Sequence, residues 1–497
     1  MRCSELLHET RLTGLVCLGE DVEITTLGTD SRQVTPGTLF AALPGSRVDG
    51  RRFIDAAIAA GAAALLHDGS RPLSFPSFIH PEPRLALAHL AAAFNGHPAD
   101  GMRMLAVTGS NGKTSVAAMV EAILQAADIP TGVIGTTGTR FPGGGQHAAL
   151  TTPDPITLQA TLAAMRRAGC QAVIAEVSSH ALDQQRTAGI HWQAAAFTNL
   201  SRDHLDYHGT MDAYWQAKRR LFLDTPHPGA AIINLDDPKG EELADGCRRL
   251  GIPVTGFSQA GHPGAELKAE EIRLEWLTTH FQWVTLQERH PIRLQTSGRF
   301  HVANALTAAG LCRSIGIESR AIDAGLEAFR AVKGRMETIR QGQPFTILID
   351  FAHTPDALER LLTTVAEISQ ASRRILVFGC GGDRDAGKRP LMGEIAARLA
   401  SFTILTDDNP RSEDPDAIRA AIRAGMHAAL DRTIEIPGRA EAIALAIERA
   451  RAGDVVLIAG KGHETQQILA DGPVPFDDAQ VVRDHLTAMG FQGLTTS

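Results

Sequence analysis

Apolar and polar positions alternate along most of the chain in one rhythm. Short apolar runs end in polar, Gly- or Pro-bearing loops, and stretches of helical spacing follow. From residue 104 the candidate strands are 104–107, 132–134, 172–175, 194–197 and 230–234, with helical stretches between them. This alternation predicts a parallel α/β sheet. At about 265–297 the period switches to two, as in Leu274-Trp276 and Phe281-Trp283-Thr285, which predicts antiparallel hairpins appended to that sheet. Beyond Lys333-Gly334-Arg335 the first rhythm returns. Strands at 346–349, 375–378, 402–405 and 455–458 end at Asp350, in GCGGDR (379–384), in DDNPR (407–411) and in GKGHE (460–464). In open α/β sheets ligands bind outside the carboxyl ends of the strands. Four such loops are therefore expected to converge on one crevice.

The first hundred residues are less regular. A turn at Pro36-Gly37 leads into apolar residues 38–40, helical spacing covers 53–60, and a short buried strand is expected at 63–66. The longest apolar run, 54–66, is Ala-rich and broken by Asp55 and Gly61. It reads as a packed helix, since a membrane span needs about 18 uninterrupted apolar residues. Gly96-His97-Pro98 has the composition of a linker. A chain of 497 residues is long enough for about three domains. The joints place them at 1–97, 98–333 and 334–497.

Composition narrows the function. With 44% hydrophobic and 21% charged residues, the chain is not disordered over most of its length. A net charge of −8 without a basic block disfavours non-specific nucleic-acid binding. Six scattered cysteines that never form CxxC argue against a disulfide framework or zinc ribbon and fit a reducing compartment. No signal peptide is visible at the polar start. A cytoplasmic protein without membrane or nucleic-acid partners is expected.

Candidate chemistry begins at TGSNGKTS (108–115), between the strand at 104–107 and the helical 116–124. Small residues let the backbone N–H groups of Gly109, Ser110, Asn111 and Gly112 curl around an anion. Lys113 meets the phosphate charge, and Thr114, followed by Ser115, can ligate Mg²⁺. An accidental Gly-rich turn would have to explain why strand, loop, Lys-Thr and helix coincide. Glu176 ends the strand at 172–175. Alone it reads as a solvated acid; beside Lys113 and Thr114 a Mg²⁺ role is favoured, because that ion prefers oxygen ligands. Residues 199–208 carry two Asp and two His within six positions, yet no second His or Cys pair supports zinc. A single His reaching Mg²⁺ beside a nucleotide is the other option.

Lys218 is the most informative single residue. A helix from about Met211 places Met211, Tyr214, Trp215, Lys218 and Phe222 on one face. A buried ammonium is costly unless paired or neutralised; the alternative is a stem that reaches solvent. Asn304, near the start of an Ala-rich helix, is a weak signal alone. Lys333-Gly334-Arg335 is either a plain linker or a joint that brings an Arg to a phosphate when domains close.

The blocks DSRxVxPGxLF (30–40), TGSNGKTS (108–115), EVSSHAL (176–182), TNLSRDHLDYHG (198–209), HVANAL (301–306), GRME (334–337), FAHTPDAL (351–358), GCGGDRDAGKRP (379–390), DNPR (408–411) and GKGHE (460–464) together resemble the Mur ligase family over nearly the whole chain. The resemblance implies three α/β domains: an N-terminal UDP-binding domain, a central P-loop parallel-sheet ATPase domain with appended antiparallel strands, and a C-terminal Rossmann-like domain. It implies ATP-dependent, ADP-forming amide ligation in cytoplasmic peptidoglycan synthesis, by a protein expected to be a monomer. ATP, with Mg²⁺, would phosphorylate the D-Glu carboxylate of UDP-N-acetylmuramoyl-L-Ala-D-Glu, and an amine would attack the acyl phosphate. By position, Lys113 and Thr114 would take the ATP phosphates and Mg²⁺, and Glu176 and His204 a second Mg²⁺. Asn304, Arg335 and Asp350 would contact adenine, phosphate and ribose. Lys218 stands where the family carries an N-carbamoylated lysine (N6-carboxylysine). Ser31, Thr151, Thr152, Ser178, Gln184 and Arg186 match contacts to the UDP-sugar peptide. Ser46-Arg47-Val48 replaces a His-Gln-Ala stretch near the uracil, and Phe351 replaces a usual Tyr.

The incoming amine is expected to belong to meso-2,6-diaminopimelate, which has two carboxylates and two amines. Arg384 and Arg411 can each fork a carboxylate. Asp408 and Glu464 can accept from the distal ammonium, Gly460 allows close backbone approach, and Asn409 and Pro410 complete the DNPR loop. Family members that use L-lysine lack the Arg of DNPR, because lysine has no distal carboxylate. Two rivals are a folylpolyglutamate synthase-like ligase, which would need a folate pocket in place of the 30–40 motif, and a non-catalytic nucleotide switch. A dinucleotide oxidoreductase is disfavoured because GxGxxG is absent.

Overall fold

The computed structural model describes residues 1–45, 48–146, 150–369 and 373–491; Ser46 and Arg47 of the expected uracil segment lie outside the described residues. Three main sheets follow one another along the chain. The first has five strands, in the order Val16–Leu18, Ser77–Ile79, Ala64–His67, Thr38–Ala41 and Thr26–Gly28. Leu39, Ala41, Leu66 and Phe78 of this sheet pack against Leu87 and Leu90 of the helix Pro83–Phe94. The apolar run 54–66 is not one helix. The helix Ile54–Ala59 stops before Gly61, whose φ of 97° turns the chain back, and Ala64–His67 enters the sheet buried along its whole length.

The second sheet has eleven strands. At its centre Arg103–Thr108 runs parallel to Ala172–Glu176 on one side and Ala194–Phe197 on the other. These strands are covered on both faces, so their residues alternate between two cores. Leu105, Val107 and Ile174 meet Val120 and Ala308; Met104, Ala106 and Val173 meet Leu158 and Phe222. Leu267–Leu274 joins one edge in parallel with Val254–Ser258, and Thr279–Val284 and Arg289–Leu294 extend it as antiparallel strands, as the period-two pattern predicts. The opposite edge ends in Gly138–Phe141 and Gly144–Gln146, a hairpin whose glycine-rich sequence gives no strand signal.

The third sheet orders Glu337–Ile339, Thr346–Asp350, Val455–Ala459, Arg374–Phe378, Phe402–Leu405 and Thr433–Glu435, all parallel except the first. Its predicted strands all form. Side chains tie it to the second sheet's layer. Arg202 donates from Nε and Nη2 to Asp385 at 2.8 and 3.0 Å, and Asn111 Nδ2 donates to Asp356 at 3.0 Å. Among the described residues no helix is long and apolar enough to cross a membrane.

One ion pair in the third layer is wholly enclosed. Arg439 and Asp478, both 0% exposed, meet through two hydrogen bonds of 2.8 Å and join the helices Arg439–Arg449 and Asp478–Ala488. Removing one partner of such a pair strands a desolvated charge, which costs about 3–5 kcal/mol. Asp478→Ala is expected to lower unfolding stability by about that amount in urea titrations. A loss below about 1 kcal/mol, the scale of an exposed pair, would show that the pair does not anchor the C-terminal helix.

Candidate active site

The phosphate loop lies where strand Arg103–Thr108 gives way to helix Lys113–Ala126. Gly109 and Gly112 have φ of 150° and 91°, and a side chain at Gly112 would run into the Asn304 amide, so both positions require glycine. The loop is held by its neighbours' side chains. Asn111 N–H donates to Asn199 Oδ1 at 3.0 Å, and Thr198 Oγ1 donates to the Asn111 carbonyl at 2.7 Å. Ser110 Oγ donates to the Ser201 carbonyl at 3.0 Å.

Two lysines meet at this loop. Lys113 Nζ donates to the carbonyls of Gly109 (2.8 Å) and Ser110 (3.0 Å), and Lys218 Nζ donates to the same Gly109 carbonyl at 2.8 Å. Lys218 lies on helix Met211–Leu223, is 1% exposed, and sits 4.4 Å from the Tyr214 ring centre, so its stem does not reach solvent. Burial pushes the Lys218 amine well below its usual pKa, Lys113 pushes it the same way, and Asp203 only partly opposes them. Burial also lowers Lys113, against the pull of Glu176 and Asp203.

The acids are close by. Glu176, 1% exposed, is placed by strand Ala172–Glu176 in the row beside the phosphate-loop strand. Its Oε2 accepts from Thr114 Oγ1 at 2.9 Å and Thr136 Oγ1 at 3.1 Å, and its Oε1 accepts from Thr136 N–H at 3.0 Å. His204 has φ of 56°, and its ring stands 3.4 Å from Asp203 Oδ2. Burial, opposed by Asp203 and reinforced by His180, Lys218 and Lys113, drives His204 down to about 3, so it is a neutral imidazole at pH 7. His353, from the third sheet's layer, approaches the same Asp203 oxygen at 3.6 Å. Burial would raise the Asp203 carboxyl, but His353, His204 and Lys388 outweigh it and hold the group well below the usual carboxylate range.

Two cavities open on either side of the phosphate loop. One, of about 450 Å³, is lined by Asn111, Gly112, Ser115, Asn304, Arg335 and Asp350, together with Asn234, Asp237 and Gln259. The other, of about 270 Å³, is lined by Ser110 to Thr114, Thr151, Glu176, Ser178, His204 and Arg335 from the N-terminal side. Its far wall is Phe351, His353, Arg384, Asp408, Asn409, Arg411, Gly460 and Glu464. All four strand-end loops of the third sheet therefore contribute to one crevice, as their spacing predicts. Arg335 lines both cavities. Its guanidinium lies 4.5 Å from the Phe351 ring centre, and its buried Nε has no partner among the described residues.

Some expected site residues fall outside these cavities. Gly109 and Lys218 lie beneath the loop. Thr152, Gln184 and Arg186 form a track leading away from Thr151 and Ser178. Thr152 Oγ1 accepts from Ser178 N–H at 3.0 Å, Arg186 Nη1 donates to the Thr152 carbonyl at 2.8 Å, and Arg186 Nη2 donates to Gln184 Oε1 at 2.8 Å. Ser31 begins the short turn Ser31–Gln33 of the first layer, away from both cavities. Pro410 is buried behind Arg411 and lines neither cavity. Sequence reasoning gave no role to Asp203, His353 or Thr136. His353 lies within the motif at 351–358, and that was the available signal.

A phosphate loop with a buried acid beside it, facing a second α/β layer that presents arginines and acids, defines a nucleotide-dependent enzyme that joins two further substrates. Comparison with known proteins agrees. Residues 23–95 match the description "Mur ligase family, catalytic domain", 107–312 "Mur ligase middle domain" and 334–462 "Mur ligase, glutamate ligase domain". The chain is 42% identical over 497 residues, 99% of each chain, to the UDP-N-acetylmuramoyl-L-alanyl-D-glutamate--2,6-diaminopimelate ligase of Gloeobacter violaceus. A solved structure of a ligase of that name is similar with a TM-score of 0.68 and 33% identity, over 95% of this chain and 98% of that one. A Mycobacterium tuberculosis folylpolyglutamate synthase complexed with ADP and AMPPCP has a TM-score of 0.64 over 76% of this chain and 92% of its own, but at 20% identity it shares the fold alone. The chain belongs to the Mur ligase family.

The phosphate-loop geometry gives a direct test. Lys113→Ala is expected to lower turnover at saturating ATP by roughly 10²-fold or more, the scale for removing an electrostatic stabiliser, with an unchanged circular dichroism spectrum. Near-normal turnover would remove Lys113 from the phosphoryl site.

Proposed function

We propose that this chain adds meso-2,6-diaminopimelate to the D-Glu carboxylate of UDP-N-acetylmuramoyl-L-Ala-D-Glu, with ATP cleaved to ADP and phosphate, in the cytoplasm and as a monomer. Its domains are 1–97 for the UDP moiety, 98–333 for ATP and 334–497 for the amino acid. The observation that carries the reading is the crevice itself. The phosphate loop and Glu176 form one wall, and a pair of arginines with a pair of acids forms the other. The relatives named as diaminopimelate-adding ligases support the choice of substrate.

The residues divide the work as follows. Asn304 and Asp350 in the larger cavity hold adenine and ribose, and Arg335, between the cavities, reaches the transferred phosphoryl group. Lys113 and the loop N–H groups of Gly109 to Gly112 neutralise and orient the phosphates, with Ser115 behind them. Thr114 and Glu176 offer a hydroxyl and a carboxylate 2.9 Å apart, a hard oxygen set that fits Mg²⁺. His204 and a carbamoylated Lys218 would hold a second ion. A carbamoylated Lys218 would add an anionic oxygen ligand beside His204, of the kind Mg²⁺ prefers. Mg²⁺ supplies charge neutralisation at the phosphoryl oxygens. The D-Glu carboxylate oxygen takes the γ-phosphoryl group and ADP leaves. The diaminopimelate amine then attacks the acyl carbon, phosphate departs, and the amine loses a proton. Thr151, Thr152, Ser178, Gln184 and Arg186 hold the UDP-sugar peptide along the track described above, and Ser31 of the first layer holds its UDP end.

Lys218 is suited to carbamoylation because burial and the neighbouring Lys113 both favour its neutral amine. CO₂ adds to a neutral amine, the nitrogen loses a proton to solvent, and the product is a carbamate anion beside the Lys113 cation. Lys218→Ala is expected to be nearly inactive and partly restored by formate or acetate, while Lys218→Arg is not restored. Full activity of Lys218→Ala without added carboxylate would exclude the modification.

Arg411 sets the substrate. Burial lowers its pKa and Arg384 pushes the same way, against Asp408, Glu464 and Asp383, so an unpaired guanidinium here is costly. A site built for a polar group rejects an analogue lacking it by up to about 10⁴-fold. Wild type is expected to form amide product with meso-diaminopimelate and to reject L-lysine, with ADP release dependent on both cosubstrates. Arg411→Ala should raise the KM for meso-diaminopimelate sharply, narrow its advantage over L-lysine, and leave the KM for ATP unchanged. Equal kcat/KM for the two amino acids in wild type would favour an L-lysine-adding ligase.

A further inference from the structure

A fully buried cation lies behind the amino-acid end of the crevice. Lys461 is 0% exposed and lines neither cavity, yet its ammonium has three acceptors. These are Asn409 Oδ1 at 3.0 Å, Glu464 Oε2 at 2.8 Å and the Gln466 carbonyl at 2.7 Å. Asn409 is fixed from both ends. Its Oδ1 also accepts from Ile468 N–H at 2.9 Å, and its Nδ2 donates to Glu464 Oε2 at 2.9 Å, so the amide cannot be turned over without losing all three bonds.

The same hairpin, Gln466–Leu469 with Gly472–Pro475, grips the neighbouring loop. Gln467 Nε2 donates to the Asp408 carbonyl at 2.6 Å, and Arg411 N–H donates to the Ile468 carbonyl at 3.0 Å. Arg411 has φ of 53°, a conformation that a non-glycine residue keeps only where its surroundings impose it. Glu464 Oε2 is thus committed to Lys461 and Asn409, and Oε1 is the oxygen that has no partner among the described residues. Asp408 is arranged likewise: Oδ1 accepts from Asn409 N–H at 2.8 Å, and the buried Oδ2 has no partner among the described residues.

We propose that Lys461 is the positioning residue of the amino-acid site. It pins the Asn409 amide and one oxygen of Glu464, so that the other Glu464 oxygen and Asp408 Oδ2 face the ammonium group of the incoming diamino acid. This rests on the ligase reading above and deepens it, because Lys461 touches no substrate and acts through Glu464. Burial alone would raise the Glu464 carboxyl, and Lys461 and Asn409 more than reverse that, so the group stays ionised for a cationic partner.

The test is steady-state kinetics with meso-diaminopimelate, ATP and the UDP-sugar dipeptide for wild type, Lys461→Met, Glu464→Gln and the double variant. Lys461→Gln stands in should the methionine variant not fold. Lys461→Met is expected to raise the KM for meso-diaminopimelate by about tenfold or more, the scale of a lost charge-assisted hydrogen bond. The other two KM values should stay within about twofold, and kcat at saturating amino acid should change little. Because the two residues act as one unit, the double variant should be no worse than Glu464→Gln by more than about twofold. An unchanged KM for the amino acid, equal rises in all three KM values, or multiplying effects in the double variant would overturn the assignment. Wild type in the same assay tests the ligase reading separately, through diaminopimelate-dependent amide formation.

Discussion

Two lysine side chains, from helices far apart in the chain, donate to a single carbonyl oxygen, that of Gly109, Lys113 from the cavity side and Lys218 from the buried side. Two ammonium ions cannot share that oxygen cheaply, since like charges at low dielectric repel strongly. The conflict is settled by division. Lys113 has Glu176 and Asp203 to support its charge, while Lys218 has Asp203 alone against burial and Lys113, and is driven towards the neutral amine. The electrostatics of the centre follow from this inequality. Lys113 has the better-supported charge, and the balance at Lys218 leans towards the neutral amine. The glycines of the loop, the row of parallel strands and the helix Met211–Leu223 all serve to bring those two nitrogens to one atom.

The second organising feature is that the carboxyl ends of two parallel sheets face each other. Each sheet alone would present an open crevice of the kind common to α/β folds. Facing one another, they enclose a space in which the phosphate loop is one wall and arginines and acids are the other. The pairs Arg202–Asp385 and Asn111–Asp356 span this space and hold its walls in register. Arg202 follows the segment that braces the phosphate loop, and Asp385 follows Arg384. A shift of one wall is therefore felt directly by the other.

Most of the fold could be read from the chain because buried parallel strands are continuous apolar runs with polar ends, and each such run from 346 onward became a strand. Lys218 was legible for a related reason: a charge in the middle of an apolar helical stripe contradicts its own surroundings. What escaped reading lacks local contrast. Gly138–Phe141 and Gly144–Gln146 pair through backbone alone, and their glycine-rich sequence shows no alternation of apolar and polar positions. Asp203 and His353 are distant in sequence and meet only after two sheets come together. Lys461 sits in a motif whose glycines and acid drew the reading, and its burial depends on a hairpin that follows it. Pro410 was grouped with its neighbours by adjacency; it is buried and lines neither cavity.

Arg335 belongs to neither cavity alone, and this has a thermodynamic consequence. Its guanidinium lines the larger and the smaller cavity together, lies over Phe351, and keeps a buried Nε–H without a partner among the described residues. A ligand that draws this cation towards one side changes the potential on the other. Linkage then requires reciprocity: the factor by which a ligand in the larger cavity alters affinity for one in the smaller equals the factor by which the second alters affinity for the first. A single cation thus faces two separate spaces, and any coupling between their occupants is bound to be the same in both directions.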